Sequence, residues 1–431
     1  MSVSVKKIAD NAECLFVRSN RFNTTLVSFN FYLPLSKDTV APYALLPFVL
    51  TTCGKEYPDF SKLNFKLSRL YGAELVASSE KVGDFQLLKV GISVINDRFT
   101  LDSESLVSDA CDMLESLIFE PKAENESFCE EDVEREKQKA VFHVMGEFSD
   151  KRVYSKKRLI SAMYDGLPYG VPKCGTVEQI KALDGKALYK AWKDVLSKAF
   201  IRVNIISDTL LQGLTDRIAS RLSSVERSCA VDFSDNINLS PAENVNRIDE
   251  PSEVTQGKLV MGFTSSLCGN DKDTVPLMLM CDIFGGGPYS RLFSNVREKM
   301  SLCYYCAART VRVKGLLTVE SGVEKENIEK TEKAVLEQLD IMRQGGFSDF
   351  EFESSKKSCI DSINTYNDSQ ALLDTWYSLK IFDGEPAEPE TLSGLIGGVT
   401  KEDVIKAAQG IKLHTVFRLL PKAANEGGQA K

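Results

Sequence analysis

Between Thr25 and Leu33, Val27, Phe29, Phe31 and Leu33 alternate with Leu26, Ser28, Asn30 and Tyr32. This period of two predicts a strand with one strongly buried face. Further strands are expected over Glu74–Ser78, Phe85–Ile95 and Ile201–Ile206. Helical stretches separate them: one from about Pro42, then Ser61–Leu70, Glu104–Phe119, a long charged helix over Glu130–Phe148, and a run from Thr176 to Leu196. The second half reads similarly. Strands are expected over Lys258–Phe263, Cys303–Val311 and Gly315–Val323, and helices over Val275–Phe284, Ser290–Lys299, Asn327–Arg343 and Ser348–Asn367. Gly285-Gly286-Gly287-Pro288 breaks the first of these helices from the second.

The two halves end alike. Thr176-Val-Glu-Gln-Ile leads by helix into Phe200-Ile-Arg-Val-Asn-Ile, and Thr400-Lys-Glu-Asp-Val leads by helix into Thr415-Val-Phe-Arg-Leu-Leu. At 431 residues the chain also exceeds the size at which one core usually divides. The expected architecture is therefore α/β, of the α+β kind, with two duplicated domains. Residues 1–225 and 251–431 would each form a largely antiparallel sheet packed with helices, joined by a polar linker at 226–250.

Charge narrows the function classes. The formal charge of −8 is spread along the chain without a basic block, so neither nucleic acid nor an anionic membrane is an expected partner. Met1 to Leu15 carries no signal-peptide pattern, and the longest apolar run, Tyr43 to Leu50, is too short to span a bilayer and contains Pro47. A cytoplasmic location is the expectation. The eleven cysteines are odd in number and embedded mostly in apolar stretches, as buried reduced thiols would be. Cys303 and Cys306 form a lone Cys-x-x-Cys with no second pair to complete a structural zinc site, and read as packing residues. Gly285-Gly286-Gly287 lacks a Walker lysine and dinucleotide spacing, so a helix-to-helix turn is expected rather than a phosphate cradle.

The stretch Gly285-Gly-Gly-Pro-Tyr-Ser-Arg-Leu-Phe-Ser-Asn-Val-Arg-Glu-Lys-Met-Ser-Leu-Cys-Tyr-Tyr resembles the signature of the C-terminal domain of pitrilysin/insulinase-type metallopeptidases. Tyr71-Gly-Ala-Glu-Leu, Pro168-Tyr-Gly and Gly175-Thr176 extend the resemblance to the first half. The wording is nearest the bacterial branch labelled elongation-factor-P aminopentanol-modification-associated. The resemblance implies a chain that forms half of a clamshell around a peptide. It also implies a catalytic helix bearing His-x-x-Glu-His, in which two imidazoles hold zinc and the Glu activates water.

That helix departs from the pattern. The matching residues are Leu45-Leu46-Pro47-Phe48-Val49, so every metal-binding and proton-moving position is apolar, and Pro47 removes a backbone donor. On the long charged helix the family has a Glu ligand seven residues after another Glu. Here Glu136 keeps the first position and His143 takes the second. His143 is one of only two histidines, the other being His414. Two readings stay open for it: a partly buried structural histidine, or a member of a salvage metal site with Cys53 or Cys129. The expectation is no catalytic residue and no metal in this chain alone, with zinc carried by a partner.

Arg297 and Tyr304 match a pair that, in the zinc peptidases this chain resembles, faces the scissile bond from the second-type domain. The resemblance implies that they bind substrate and stabilise an oxyanion, as guanidinium and phenol can. Their structural alternative is a salt bridge of Arg297 with Glu298 or Glu320, and a core tyrosine. The expected function is a non-catalytic, substrate-binding subunit of a heterodimeric zinc metallopeptidase. Its partners would be a zinc-bearing insulinase-like subunit and a peptide, which could add to an exposed strand edge at Leu75–Ser78. The alternative is a stand-alone peptide-binding or scaffold protein.

Overall fold

The computed structural model describes residues 2–102, 104–209, 211, 213–228, 231–384 and 386–422. Apart from a two-residue hairpin, its strands build two separate sheets. The first contains β1 (Ser2–Ala9), β2 (Ala12–Arg18), β3 (Thr24–Pro34), β4 (Glu74–Val82), β5 (Phe85–Ile95) and β6 (Phe200–Ser207), in the order β1-β2-β6-β3-β5-β4. The second contains β7 (Asn246–Ser252), β8 (Gly257–Thr264), β9 (Cys303–Val311), β10 (Leu316–Val323) and β11 (Lys412–Pro421), in the order β7-β11-β8-β10-β9. Strand for strand, the second order repeats β2-β6-β3-β5-β4 of the first. Each sheet has a single parallel pair at the equivalent place, β2 with β6 and β7 with β11. All other pairs are antiparallel.

The matching chain endings have a physical basis. Thr176 and Thr400 are both N-caps of capping boxes, completed by Gln179 and Asp403, so each starts a helix at a fixed point ahead of the strand that enters mid-sheet. The run expected as one helix to Leu196 divides into Val177–Lys181 and Gly185–Lys198. Asp184 restarts it by accepting a hydrogen bond from the Ala187 amide at 2.7 Å. The glycine run is a turn, as expected. A Cβ on Gly285 would come within 2.5 Å of the Ala308 amide nitrogen, so the end of its helix lies directly on β9.

Four helices matter below: α1 (Val40–Leu50), α2 (Glu130–Ser149), α3 (Lys151–Met163) and α4 (Gln370–Leu379). Two compact units emerge, and neither is contiguous in sequence. One takes residues up to Gly146, Val171–Asn236 and Thr365–Glu388; the other takes Glu147–Gly170, Ile237–Asn364 and the stretch from Pro389. The expected linker, 226–250, contains the passage at Asn236–Ile237, and its last residues already belong to β7. Each unit thus includes a helix drawn from the other half of the chain, α4 in the first and α3 in the second. Among the described residues, no helix is long and apolar enough to cross a membrane.

In the first unit, the side of β3 bearing Val27, Phe29, Phe31 and Leu33 packs into a large apolar core with α1 and the helix Leu106–Phe119. The alternating Ser28 and Asn30 are equally buried. They lie under α4, whose polar residues Gln370, Asp374 and Ser378 recur every four positions and so share one face. Asp374 accepts from Ser28 Oγ at 2.6 Å and Asn204 Nδ2 at 2.8 Å, and pairs with Lys89. Ser378 donates to Asn30 at 2.9 Å, and Tyr32 donates to the Ser378 carbonyl at 2.7 Å.

In the second unit, α3 lies on β8 and β11 through Leu159 and Met163, which pack with Val260, Phe417 and Leu419. The approach requires Gly262, where a Cβ would stand 2.2 Å from the Met163 sulfur. Arg152 and Lys156 of α3 reach the buried Glu320 at 2.8 and 3.0 Å.

The Lys89–Asp374 pair yields a stability prediction. Lys89→Met leaves a buried carboxylate without its cation and should cost about 3–5 kcal/mol. Combining it with Asp374→Asn should recover most of that loss, because the amide oxygen still accepts from Ser28 and Asn204. Both tryptophans, Trp192 and Trp376, lie in this unit, so fluorescence in urea reads it directly. A Lys89→Met cost below ~1 kcal/mol, the range of an exposed pair, would show that the ion pair does not hold α4.

Candidate functional site

The helix that should carry the zinc motif is regular, with Pro47 accommodated inside it. Leu45 and Val49 are buried, whereas Phe48 is 38% exposed. Leu45 and Phe48, with Ala41 and Ala44, form one wall of a cavity of about 390 Å³. Ser78, Ser79 and Glu80 of β4 form a second wall. Glu136, Lys139, Ala140 and His143 of α2 form a third, and Lys173, Cys174 and Ile180 complete the lining. The α2 residues recur at intervals of three, four and seven, so they occupy one helical face. The structure therefore gathers the degenerate motif positions 45, 48 and 143 around one space.

That space does not fit a zinc ion. Its two carboxylates are already engaged: Glu136 with Lys139 at 2.8 Å and Arg135 at 3.6 Å, and Glu80 with Lys173 at 3.1 Å. His143 is exposed rather than partly buried. Cys53 lies elsewhere, with its thiol against Asp132 at 3.4 Å. Asp132 precedes His143 by eleven residues of α2, roughly 16 Å of rise. Burial, reinforced by the Asp132 charge, pushes the Cys53 thiol up to about 11, so it is not the thiolate a metal requires. Cys129 lies ahead of α2, still farther from His143 along the chain. Among the described residues, no group of three or more His, Cys, Asp or Glu could hold a metal ion.

Cys174, Lys173 and Glu80 went unnoticed as lining residues in the sequence. A signal existed for the first two, which immediately precede the family-like Gly175-Thr176. Spacing also pointed to Lys139 and Ala140, three and four residues after Glu136. The expected edge at Leu75–Ser78 is indeed an edge: among the described residues β4 is the outermost strand of its sheet and pairs only with β5. Ser78, Ser79 and Glu80 of this strand line the cavity.

Arg297 and Tyr304 lie in the second unit. Arg297 sits on a turn of π-helix, Leu292–Lys299, closed by the Met300 amide donating to the Asn295 carbonyl at 2.9 Å. Its guanidinium lies 4.4 Å from the Phe293 ring centroid and 3.6 Å from the Glu298 carboxylate. Glu320, the other suggested partner, is taken by Arg152 and Lys156 instead. Tyr304 is not a core residue. It is 62% exposed on the edge strand β9 and donates its hydroxyl to Glu324 at 2.8 Å. That hydrogen bond, with the Glu324 charge, raises the phenol pKa and keeps it a protonated donor.

Comparison with known proteins places this geometry. The chain is 30% identical, over 94% of its own length and 94% of the relative's, to a Bacillus subtilis protein described as "Probable inactive metalloprotease YmfF". It belongs to the M16 peptidase family. The profile of the Peptidase M16 inactive domain matches residues 182–359. A conserved protein of Enterococcus faecalis V583 shares this fold at 22% identity and a TM-score of 0.90, over 99% of this chain and 100% of that one. A Pseudomonas fluorescens peptidase M16 inactive domain superposes with a TM-score of 0.77 at 17% identity, over 98% and 99%. With Leu45, Phe48 and Val49 at the metal-binding and proton-moving positions, this chain is an inactive M16 homologue.

The purified chain should therefore contain no stoichiometric zinc and cleave no peptide by itself. Elemental analysis checks this. One zinc per chain, lost in His143→Ala, would reinstate the salvage site.

Proposed function

We propose that this chain is the non-catalytic, substrate-binding subunit of a two-chain peptidase whose zinc lies in an M16 partner. The observation that carries the reading is that the catalytic helix has turned apolar while the strand edge beside it stays open. Leu45 and Phe48 line a cavity bordered by Ser78–Glu80 of β4, the outermost strand of its sheet among the described residues. An extended peptide can add to such an edge by main-chain hydrogen bonds and place an apolar side chain in the cavity. The rim charges already form ion pairs within the chain, which favours an uncharged side chain there.

In this reading Arg297 and Tyr304 are offered to the partner's chamber, where guanidinium and protonated phenol would hold the peptide backbone and the developing oxyanion. A cytoplasmic setting belongs to the proposal and agrees with the free cysteines of the described residues. A second reading, a stand-alone peptide binder or scaffold, is favoured by one observation. Tyr304 already has an acceptor in Glu324, and Arg297 already rests on Phe293.

Co-expression with a zinc-bearing M16 chain distinguishes the two. The proposal expects a stable pair that cleaves unstructured peptides. Tyr304→Phe should leave the pair assembled and reduce its turnover by roughly a hundredfold, the usual loss for one oxyanion donor. Unchanged turnover in an assembled pair would make the residue structural and favour the scaffold. Peptide capture is separable from catalysis: Phe48→Asp should weaken binding of an unstructured apolar peptide to the single chain by at least about tenfold, or 1.4 kcal/mol. Fluorescence anisotropy of a labelled peptide measures it, and unaltered affinity would remove the cavity from the peptide path.

A further inference from the structure

Cys303 and Cys306 occupy the edge strand β9 at a spacing that, in a regular strand, would send their side chains to opposite faces. The strand is not regular there. Cys303 lies opposite Val323, Tyr305 opposite Gly322, and Cys306 opposite Ser321. Tyr304 is the extra residue of a β-bulge. Val323 and Ser321 are two residues apart on β10 and so share a face, which places their partners Cys303 and Cys306 on that face together. Two residues of strand rise correspond to about 6.8 Å between the cysteine Cα atoms, roughly the upper end of the span a disulfide accepts.

The two sulfurs are also unequal. Cys306 is buried, whereas Cys303 is partly exposed on a strand with no neighbour beyond it. The neighbouring Cys306 thiol is the largest influence holding the Cys303 thiol down to about 7. Burial opposes it, and the Ser321 hydroxyl and the Arg297 charge assist. The Ser321 hydroxyl also donates to the Tyr305 carbonyl at 2.9 Å, so its share is divided. Cys306 is raised well above its ordinary value, and burial pushes Cys14, Cys111 and Cys281 up to about 12. One accessible thiolate beside one protonated thiol is the arrangement of an attacking and a resolving cysteine.

We propose that Cys303 and Cys306 form a reversible disulfide across the Tyr304 bulge, made and undone by exchange with low-molecular-weight disulfides and thiols. The Cys303 thiolate attacks one sulfur of the small disulfide, whose S–S bond breaks and releases one thiolate. The Cys306 thiol then gives up its proton and attacks Cys303 in the mixed disulfide, expelling the second small thiolate. Two protein thiols are oxidised, one small disulfide is reduced to two thiols, and no further oxidant is needed. Closing this ring fixes the backbone on both sides of Tyr304, whose hydroxyl meets Glu324. The proposal stands whether or not Tyr304 serves a partner enzyme.

The test uses the full reduced chain equilibrated with mixtures of oxidised and reduced glutathione, acid-quenched, alkylated and mapped by peptide mass spectrometry. The expected product is a Cys303–Cys306 crosslink, lighter by two hydrogens and reversed by excess reduced glutathione. Cys306→Ser should stop at a glutathione adduct on Cys303. Alkylation of Cys303 in the wild type should accelerate through about pH 7, and Arg297→Ala should move that midpoint upward. Complete alkylation of both cysteines in the wild type under excess oxidised glutathione would overturn the proposal. So would a crosslink joining Cys303 to any other cysteine.

Discussion

Asp374 ties α4 to three strands of the first sheet. Asp374 enters the polar face of a sheet whose other face already forms the apolar core, and it satisfies Ser28, Asn204 and Lys89 at once. Without it, that face would expose hydroxyl, amide and ammonium groups built for burial, and α4 would have no reason to settle there. Burying ions is costly unless their remaining hydrogen-bond positions are filled, and the Asp374 carboxylate accepts from β3, β5 and β6. Arg202 extends the arrangement, pairing with Glu13 at 2.6 Å and donating to the Tyr377 carbonyl at 3.2 Å. The geometry specifies one register for the helix, since a slip by one residue would turn Asp374 away from its partners.

The same network explains where sequence patterning succeeded and failed. Strands Phe85–Ile95 and Cys303–Val311 were legible to the residue, both being apolar or aromatic runs set off by turns. The alternation in β3 correctly marked a strand, but its polar face was taken for the less buried one. The helix covering that face buries Gln370, Asp374 and Ser378 as well as Leu373, Trp376 and Tyr377, so its buried side could not be told from polarity and neither element announced the other. The strand Ser2–Ala9 was equally silent, being charged and largely exposed. Duplication was expected from the matching helix-then-strand endings at Thr176 and Thr400, where the structure shows two capping boxes. The exchange of α3 and α4 was not, because it is a matter of long-range topology.

The candidate site follows a similar division. The motif helix, Glu136 and His143 were placed by resemblance to the family's zinc motif, and they meet at one cavity. The pairing of Lys173 with Glu80 and the presence of Cys174 depend on how a loop returns past β4, which no local pattern encodes. Physically, the change from a metal site to this cavity replaces a concentrated positive charge with hydrocarbon bounded by neutralised pairs. A cavity of that character no longer polarises a carbonyl, but it can shelter a side chain from water.

The reciprocal lending of helices has a consequence for biosynthesis. The strands of the first sheet are complete once β6 leaves the ribosome at Ser207, yet the helix that covers their polar face ends at Leu379. At about 5–20 residues per second, the intervening 172 residues (379 − 207) delay that cover by roughly 10–35 seconds. During this interval Lys89, Arg202 and Asn204 wait without Asp374, and the nascent first unit is an unfinished sheet with its polar face open to water. Folding of the amino-terminal half is thus timed by the carboxy-terminal half, and a ribosome that stalls before Asp374 leaves behind a chain that cannot complete even its first unit.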